Sequence, residues 1–152
     1  MYEFMKLLHV TAVVLFLGNI TTGVFWHRHA LRTGEPRLLA HTMDGIIRSD
    51  RWFTIPSVIV ITLTGLVAAM VGRIPILGTP WLFWALILFA LSGVVFMARV
   101  APLQGRLLAM GRAEAFDLEV YRKTALRWEP WGALALITPF GALVLMLLKP
   151  AF

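Results

Sequence analysis

Residues 52–72, WFTIPSVIVITLTGLVAAMVG, run for 21 positions without a charge. A helix needs about 20 predominantly apolar residues to cross the hydrocarbon core of a bilayer, and this stretch supplies them. Its apolar residues are continuous rather than alternating, and in lipid only helices and closed barrels satisfy every backbone group. The stretch therefore reads as a membrane helix. Residues 4–26, 81–98 and 131–148 repeat the pattern, with Lys6 as the only charge, near the edge of the first block. Across all 152 residues, 59% are hydrophobic and 14% charged, against about 45–50% and about 25% in soluble domains. A soluble globular fold is excluded on those terms. The expected fold class is all-α: an integral membrane four-helix bundle, with residues 1–152 forming one four-span domain.

The charges between the blocks set the expected direction. The first and third connections carry Arg28, Arg32, Arg37, Arg48, Arg51, Arg99, Arg106, Arg112, Arg122, Lys123 and Arg127, and the opposite side carries only Lys6, Arg73 and Lys149. Positive loops stay in the cytoplasm, so both termini and the turn at residues 73–80 are expected on the non-cytoplasmic side of a bacterial inner membrane. The net charge of +6 does not indicate nucleic acid, because the basic residues are split among apolar blocks rather than gathered on one face. Trp26, Trp52, Trp81, Trp128 and Trp131 fall at or near block ends, where indoles favour the membrane interface. Glu3 offsets Lys6, and the first block ends in Phe25-Trp26-His27-Arg28 rather than at a small-residue cleavage site. It is expected to be a retained helix.

Residues 37–47 and 106–127 have helical spacing and are expected to prolong the spans or to lie along the membrane surface. Small and polar residues mark expected helix contacts: Gly132, Ala135, Pro139, Ala142 and Met146 in the fourth span; Ser57, Gly65, Ala68 and Gly72 in the second, with Thr64 beside them; Gly18 with Thr22 and Asn19 with Gly23 in the first. Pro139 frees the carbonyl near Ala135, which predicts a kink or a bound water.

His9 is the one histidine within a span, about 8 Å deep at 1.5 Å per residue. An ionisable group at that depth is a functional candidate, and imidazole is a common haem ligand. The plainer reading is a histidine bonded to Thr62, Thr64 or a neighbouring carbonyl. A second axial ligand would be Met70, Met146 or a residue of another protomer; five-coordinate iron needs none. His27, His29 and His41 lie with Asp44 and Asp50 on the arginine-rich side, and there read as interfacial or solvated, with a cytoplasmic metal or anion site as the alternative. His27 and His29, two apart, point to opposite sides of a helix. Glu129 is a candidate partner for Arg51 or Arg127 at the helix ends, where an arginine cluster also suits propionates or another anion; separate snorkelling of these side chains is the plainer alternative. The scattered methionines argue against a copper relay. There is no cysteine, hence no disulfide, thiolate-bound zinc or iron–sulfur cluster. Nucleophile and phosphate-loop motifs are missing; no paired carboxylates lie inside the spans, which argues against a proton-coupled pump, and the lack of buried charge disfavours a permease.

Several short motifs carry a resemblance. Lys6-Leu7-Leu8-His9-Val10 opens the chain, Arg51 comes five residues before Pro56, Trp81 opens the third span, Glu129-Pro130 precede the fourth, and Lys149-Pro150-Ala151-Phe152 close the chain. This is similar to the HemJ-type protoporphyrinogen oxidases and to the wider membrane group that includes copper-resistance protein D. The Lys6-x-x-His9 start, Gly18 and the run Asp50-Arg51-x-Phe53-Thr54 resemble more closely a family of predicted four-helix integral membrane proteins. The HemJ resemblance implies haem b, with His9 as a ligand, and oxidation of a tetrapyrrole at the membrane. The HemJ type has a lysine near the start of its third span, whereas residues 81–91 here hold no charge. The expected function is a haem b protein for membrane redox work, either electron transfer or porphyrinogen oxidation, with His9 on iron and Arg51 and Glu129 in support. The alternatives are a non-catalytic subunit or assembly factor of a larger complex, and a small-solute or metal permease. The bilayer is the expected surrounding, with a homodimer or larger complex as a further partner.

Overall fold

Each apolar block lies within a longer helix. The computed structural model describes residues 1–150; Ala151 and Phe152, the end of the closing motif, lie outside the described residues. Helix α1 covers Tyr2–Thr33. Gly34 ends it in the left-handed region at φ 68°, a conformation that costs glycine little. Pro36, at a position where its missing N–H is harmless, starts α2, Pro36–Ser49. The chain continues without a break through a π-helical turn, Asp50–Thr54, into α3, Ile55–Val71. The second hairpin repeats this plan. Helix α4, Pro80–Val95, passes through a π-helical turn, Phe96–Val100, into α5, Ala101–Gly111. Helix α6, Leu118–Leu148, is capped by the Asp117 carboxylate, which accepts from the amides of Glu119 at 2.8 Å and Val120 at 3.1 Å.

The two π-helical turns have a common cause. Pro56 and Pro102 each lack the N–H that would close an ordinary helical turn on the carbonyl four residues back. The wider i→i+5 pattern just before each proline lets the neighbouring amides, Ile55 to Asp50 and Ala101 to Phe96, find carbonyls instead.

All four continuous helices, Tyr2–Thr33, Pro36–Val71, Pro80–Gly111 and Leu118–Leu148, are long and apolar enough to cross a membrane. They are longer than the expected spans because the polar-looking connections are helical extensions. The one exception is residues 106–127: the helical reading there is broken after Gly111, so that its first part completes α5 and its second begins α6.

The extensions hold the larger core. Ala30, Leu39, Met43, Val100, Leu107, Tyr121, Ala125 and Trp128 pack together at the arginine-rich end, and Leu39, Met43, Leu107 and Tyr121 are fully buried. A smaller cluster of Ala12, Phe16, Leu17 and Ile61 occupies the half nearer the termini. There α1 packs on α3 and α4 on α6, and Phe16 meets Phe89 edge-on at 5.9 Å across the two pairs. Leu63, Val94, Ile137 and Leu147 remain exposed on the outside, as a lipid-facing surface requires.

The expected contact faces are partly redrawn. Gly132, Ala135, Pro139 and Ala142 do face inward. The carbonyl freed by Pro139 has a protein partner: Ser92 on α4 donates its hydroxyl to Ala135 at 2.6 Å. In α3 the inward positions are Ser57, Ile61, Thr64 and Ala69, and Gly72 is exposed. Gly18 and Thr22 face outward, and the Thr22 hydroxyl is satisfied by the Gly18 carbonyl at 2.7 Å. Trp128 is not an interfacial residue. It is buried at the centre of the larger core.

Candidate functional site

His9 sits on α1 against α3, half-buried. Two features of α3 hold it. Gly65 leaves room, since a β-carbon there would lie 3.0 Å from His9 Cε1 and 3.2 Å from Nδ1. His9 Nδ1 lies 3.0 Å from the Ile61 carbonyl and 3.4 Å from Thr64 Oγ1. A carbonyl can only accept, so Nδ1 carries the proton and donates it. In neutral imidazole the lone pair then stands on Nε2. The expectation of a bond to a neighbouring-helix carbonyl is met, and the same bond prepares the ring as a ligand: metal-bound histidines commonly donate their other nitrogen to a carbonyl. Among the described residues no three His, Cys, Asp or Glu side chains gather to hold a metal ion. Met70, one expected second ligand, is 67% exposed on the outer surface.

The second polar centre is one that sequence reasoning missed. Asp50, expected at a wet boundary, is 7% exposed. Its π-helical turn packs against α1, and the carboxylate collects three donors. Asn19 Nδ2 donates to Oδ1 at 3.2 Å and to Thr54 Oγ1 at 2.9 Å. Thr54 Oγ1 donates to the same Oδ1 at 2.8 Å. Gln104 on α5 donates to Oδ2 at 2.9 Å. No Lys or Arg forms an ion pair with Asp50 among the described residues. The expectation that the spans hold no buried charge is therefore overturned, and with it the ground for disfavouring a permease. Two signals were available. Asn19, in the middle of an apolar block, must find a partner, and the spacing Leu39, Met43, Ile46, Asp50 continues one helical face.

His27 is also corrected. It is 0% exposed rather than interfacial. Nε2 lies 3.3 Å from the Tyr121 hydroxyl, and the ring meets Trp128 edge-on at 4.8 Å. His27 Nδ1 and Trp128 Nε1 have no hydrogen-bond partner among the described residues. His29 and His41 are exposed, so the two-residue spacing does turn His27 and His29 to opposite sides.

Glu129 pairs with Arg28 at 2.9 Å rather than with Arg51 or Arg127, tying α1 to α6. Arg51 is exposed and joins none of the ion pairs among the described residues. Arg28 lies 19 residues from His9 on α1, about 28 Å along the axis. Glu129 is therefore a brace for the arginine-rich end and stands far from the histidine. Arg51 adjoins Asp50, at the level of Asn19, about 15 Å along α1 from His9.

A family model described as a predicted integral membrane protein (DUF2269) matches residues 3–150. No curated protein and no solved structure matches the chain. The match runs through all four apolar helices, from the Lys6–His9 segment to the end of α6, and the chain therefore belongs to the DUF2269 family of predicted integral membrane proteins.

Proposed function

We propose that this protein binds haem b in the bacterial cytoplasmic membrane and serves redox work there, as electron carrier or porphyrinogen oxidase, with His9 Nε2 as an axial ligand. One observation carries the reading: the Ile61 carbonyl accepts a hydrogen bond from Nδ1–H, which leaves the Nε2 lone pair to a ligand. The donor set suits haem better than a bare ion. A metal ion needs several protein ligands converging at one point, and the described residues offer no such group, whereas a porphyrin brings four nitrogens of its own and needs one imidazole. Bound haem would supply one-electron chemistry. The chain's own part is to hold the ring: Ile61 orients it and Gly65 clears its flank. Arg51, exposed and outside the ion pairs, is the candidate to meet a propionate; Glu129 is engaged by Arg28. The resemblance of the Lys6–His9 segment to the HemJ-type oxidases supports the same assignment.

The arginine-rich end is placed in the cytoplasm and both termini outside, on the charge distribution alone. Reporter fusions at Gly34 and at the C-terminus test this placement. For the haem, the full chain is purified in mild detergent from haem-replete cells and its absorbance recorded. The expected result is a Soret band that disappears in His9→Ala. A colourless wild-type protein overturns the reading, and if it also copurifies with partner chains, a non-catalytic membrane subunit takes its place.

A further inference from the structure

The network around Asp50 adjoins a cavity of about 20 Å³, whose lining includes Asn19, Asp50, Gln104, Trp128 and Gly132. Trp128 adds an independent feature: it is 2% exposed, it lines this cavity, and its Nε1–H has no acceptor. Buried donors are nearly always satisfied. One water needs about 10–15 Å³ and two or more polar partners; most of this lining is apolar, and Asn19, Asp50, Gln104 and Trp128 are its polar residues. We propose that the cavity binds a water molecule that accepts from Trp128 Nε1–H and donates to Asp50, making this group a hydrated proton-binding site inside the bundle.

The lining selects water over an ion. Trp128 N–H presents a hydrogen that would repel a cation, and an anion would meet the Asp50 carboxylate. Water can accept on one side and donate on the other. Asp50 is the one titratable member of the network. A proton taken from hydronium goes to Oδ2 and leaves a neutral water in the cavity; Oδ1 still accepts from Asn19 and Thr54, and the Oδ2 hydroxyl keeps a lone pair for Gln104. The charged or titratable groups around it are engaged elsewhere or exposed. Asp44 of its own helix pairs with Arg48 and with Arg112 of α5, and Arg28 of α1 pairs with Glu129 of α6. His27 lies against Trp128 and bonds to Tyr121 through Nε2, leaving its Nδ1 without a partner among the described residues; Arg99 lies over Trp131, and Arg51 and Arg106 are exposed. The site does not depend on haem at His9.

Gly132 offers a test by sign. A β-carbon at Gly132 meets nothing within 4 Å, and the same holds at the lipid-facing Gly18. Both Gly→Ala changes bring the same helix-propensity gain, but only the first adds a methyl group beside the cavity. Thermal unfolding of the full chain in detergent is expected to give a lower Tm for Gly132→Ala than for wild type, with Gly18→Ala unchanged or higher. A Gly132→Ala Tm at or above wild type means a dry cavity and overturns the proposal. The proton is read by infrared titration: a protonated-carboxyl band that grows as pH falls, shifts in D2O and is missing in Asp50→Asn is expected. Identical difference spectra for the two proteins overturn the assignment. Should Asp50→Asn fail to accumulate, Gln104→Ala replaces it; removing a donor from the carboxylate is expected to move the band's midpoint, and an unmoved midpoint overturns the assignment.

Discussion

Replacing Ser92 by Ala removes a single hydroxyl, yet it strips the side-chain partner that a buried carbonyl has among the described residues. Pro139 cannot donate to Ala135 four residues back, and Ser92 fills that role at 2.6 Å while 3% exposed. Polar pairs between membrane helices average about 0.6 kcal/mol, because the separated helices find other partners. Here the separated state offers no relief, since Pro139 keeps the carbonyl unpaired within α6 itself. The expected loss is therefore the cost of an unsatisfied buried acceptor, about 1–3 kcal/mol. Pro139→Ala restores the amide hydrogen, so Ser92→Ala on that background is expected to cost about 1 kcal/mol less. Reversible unfolding in mixed micelles, run on the wild type, both single variants and the double variant, measures this coupling. Strict additivity, or a Ser92→Ala loss within error of zero, would show that the carbonyl needs no partner and refute the reasoning.

Gly65→Ala places a methyl 3.0 Å from the His9 ring; it is expected to destabilise by about 1–3 kcal/mol as an overpacked contact, and to be neutral in a His9→Ala background by the same unfolding cycle. Gln104→Ala removes a 2.9 Å bond to a carboxylate, with an expected loss of about 1.5–3 kcal/mol; a Tm equal to wild type would mean that Asp50 is not held as described. Arg28→Ala breaks the pair with Glu129, but the Arg28 side chain is 62% exposed, so the expected loss is only about 0.2–1 kcal/mol and shrinks in high salt. A larger, salt-independent loss would place that pair inside the core.

The four membrane helices were legible because they rest on local properties. A run such as residues 52–72 is long enough to cross lipid, and a helix satisfies its own backbone whatever surrounds it. The inward face of α6 was equally readable, since Gly132, Ala135, Pro139 and Ala142 recur at helical spacing and small residues let helices approach. His9 stood out as an ionisable group at membrane depth, but which nitrogen holds the proton depends on the Ile61 carbonyl, 52 residues away.

What the linear order could not contain was the pairing of polar side chains between helices. Asp50 and His27 look like wet residues near arginine-rich connections. They are buried because those connections continue as α2, α5 and the first turns of α6, and pack into the larger of the two cores. Sequence by itself determined that the chain lies in a bilayer as four helices, since the free energy of an apolar helix in lipid is a sum over its own residues. Only the tertiary structure decided where the buried carboxylate sits and which donors surround it, since a hydrogen bond between helices depends on their rotation and level, and a π-helical turn shifts both.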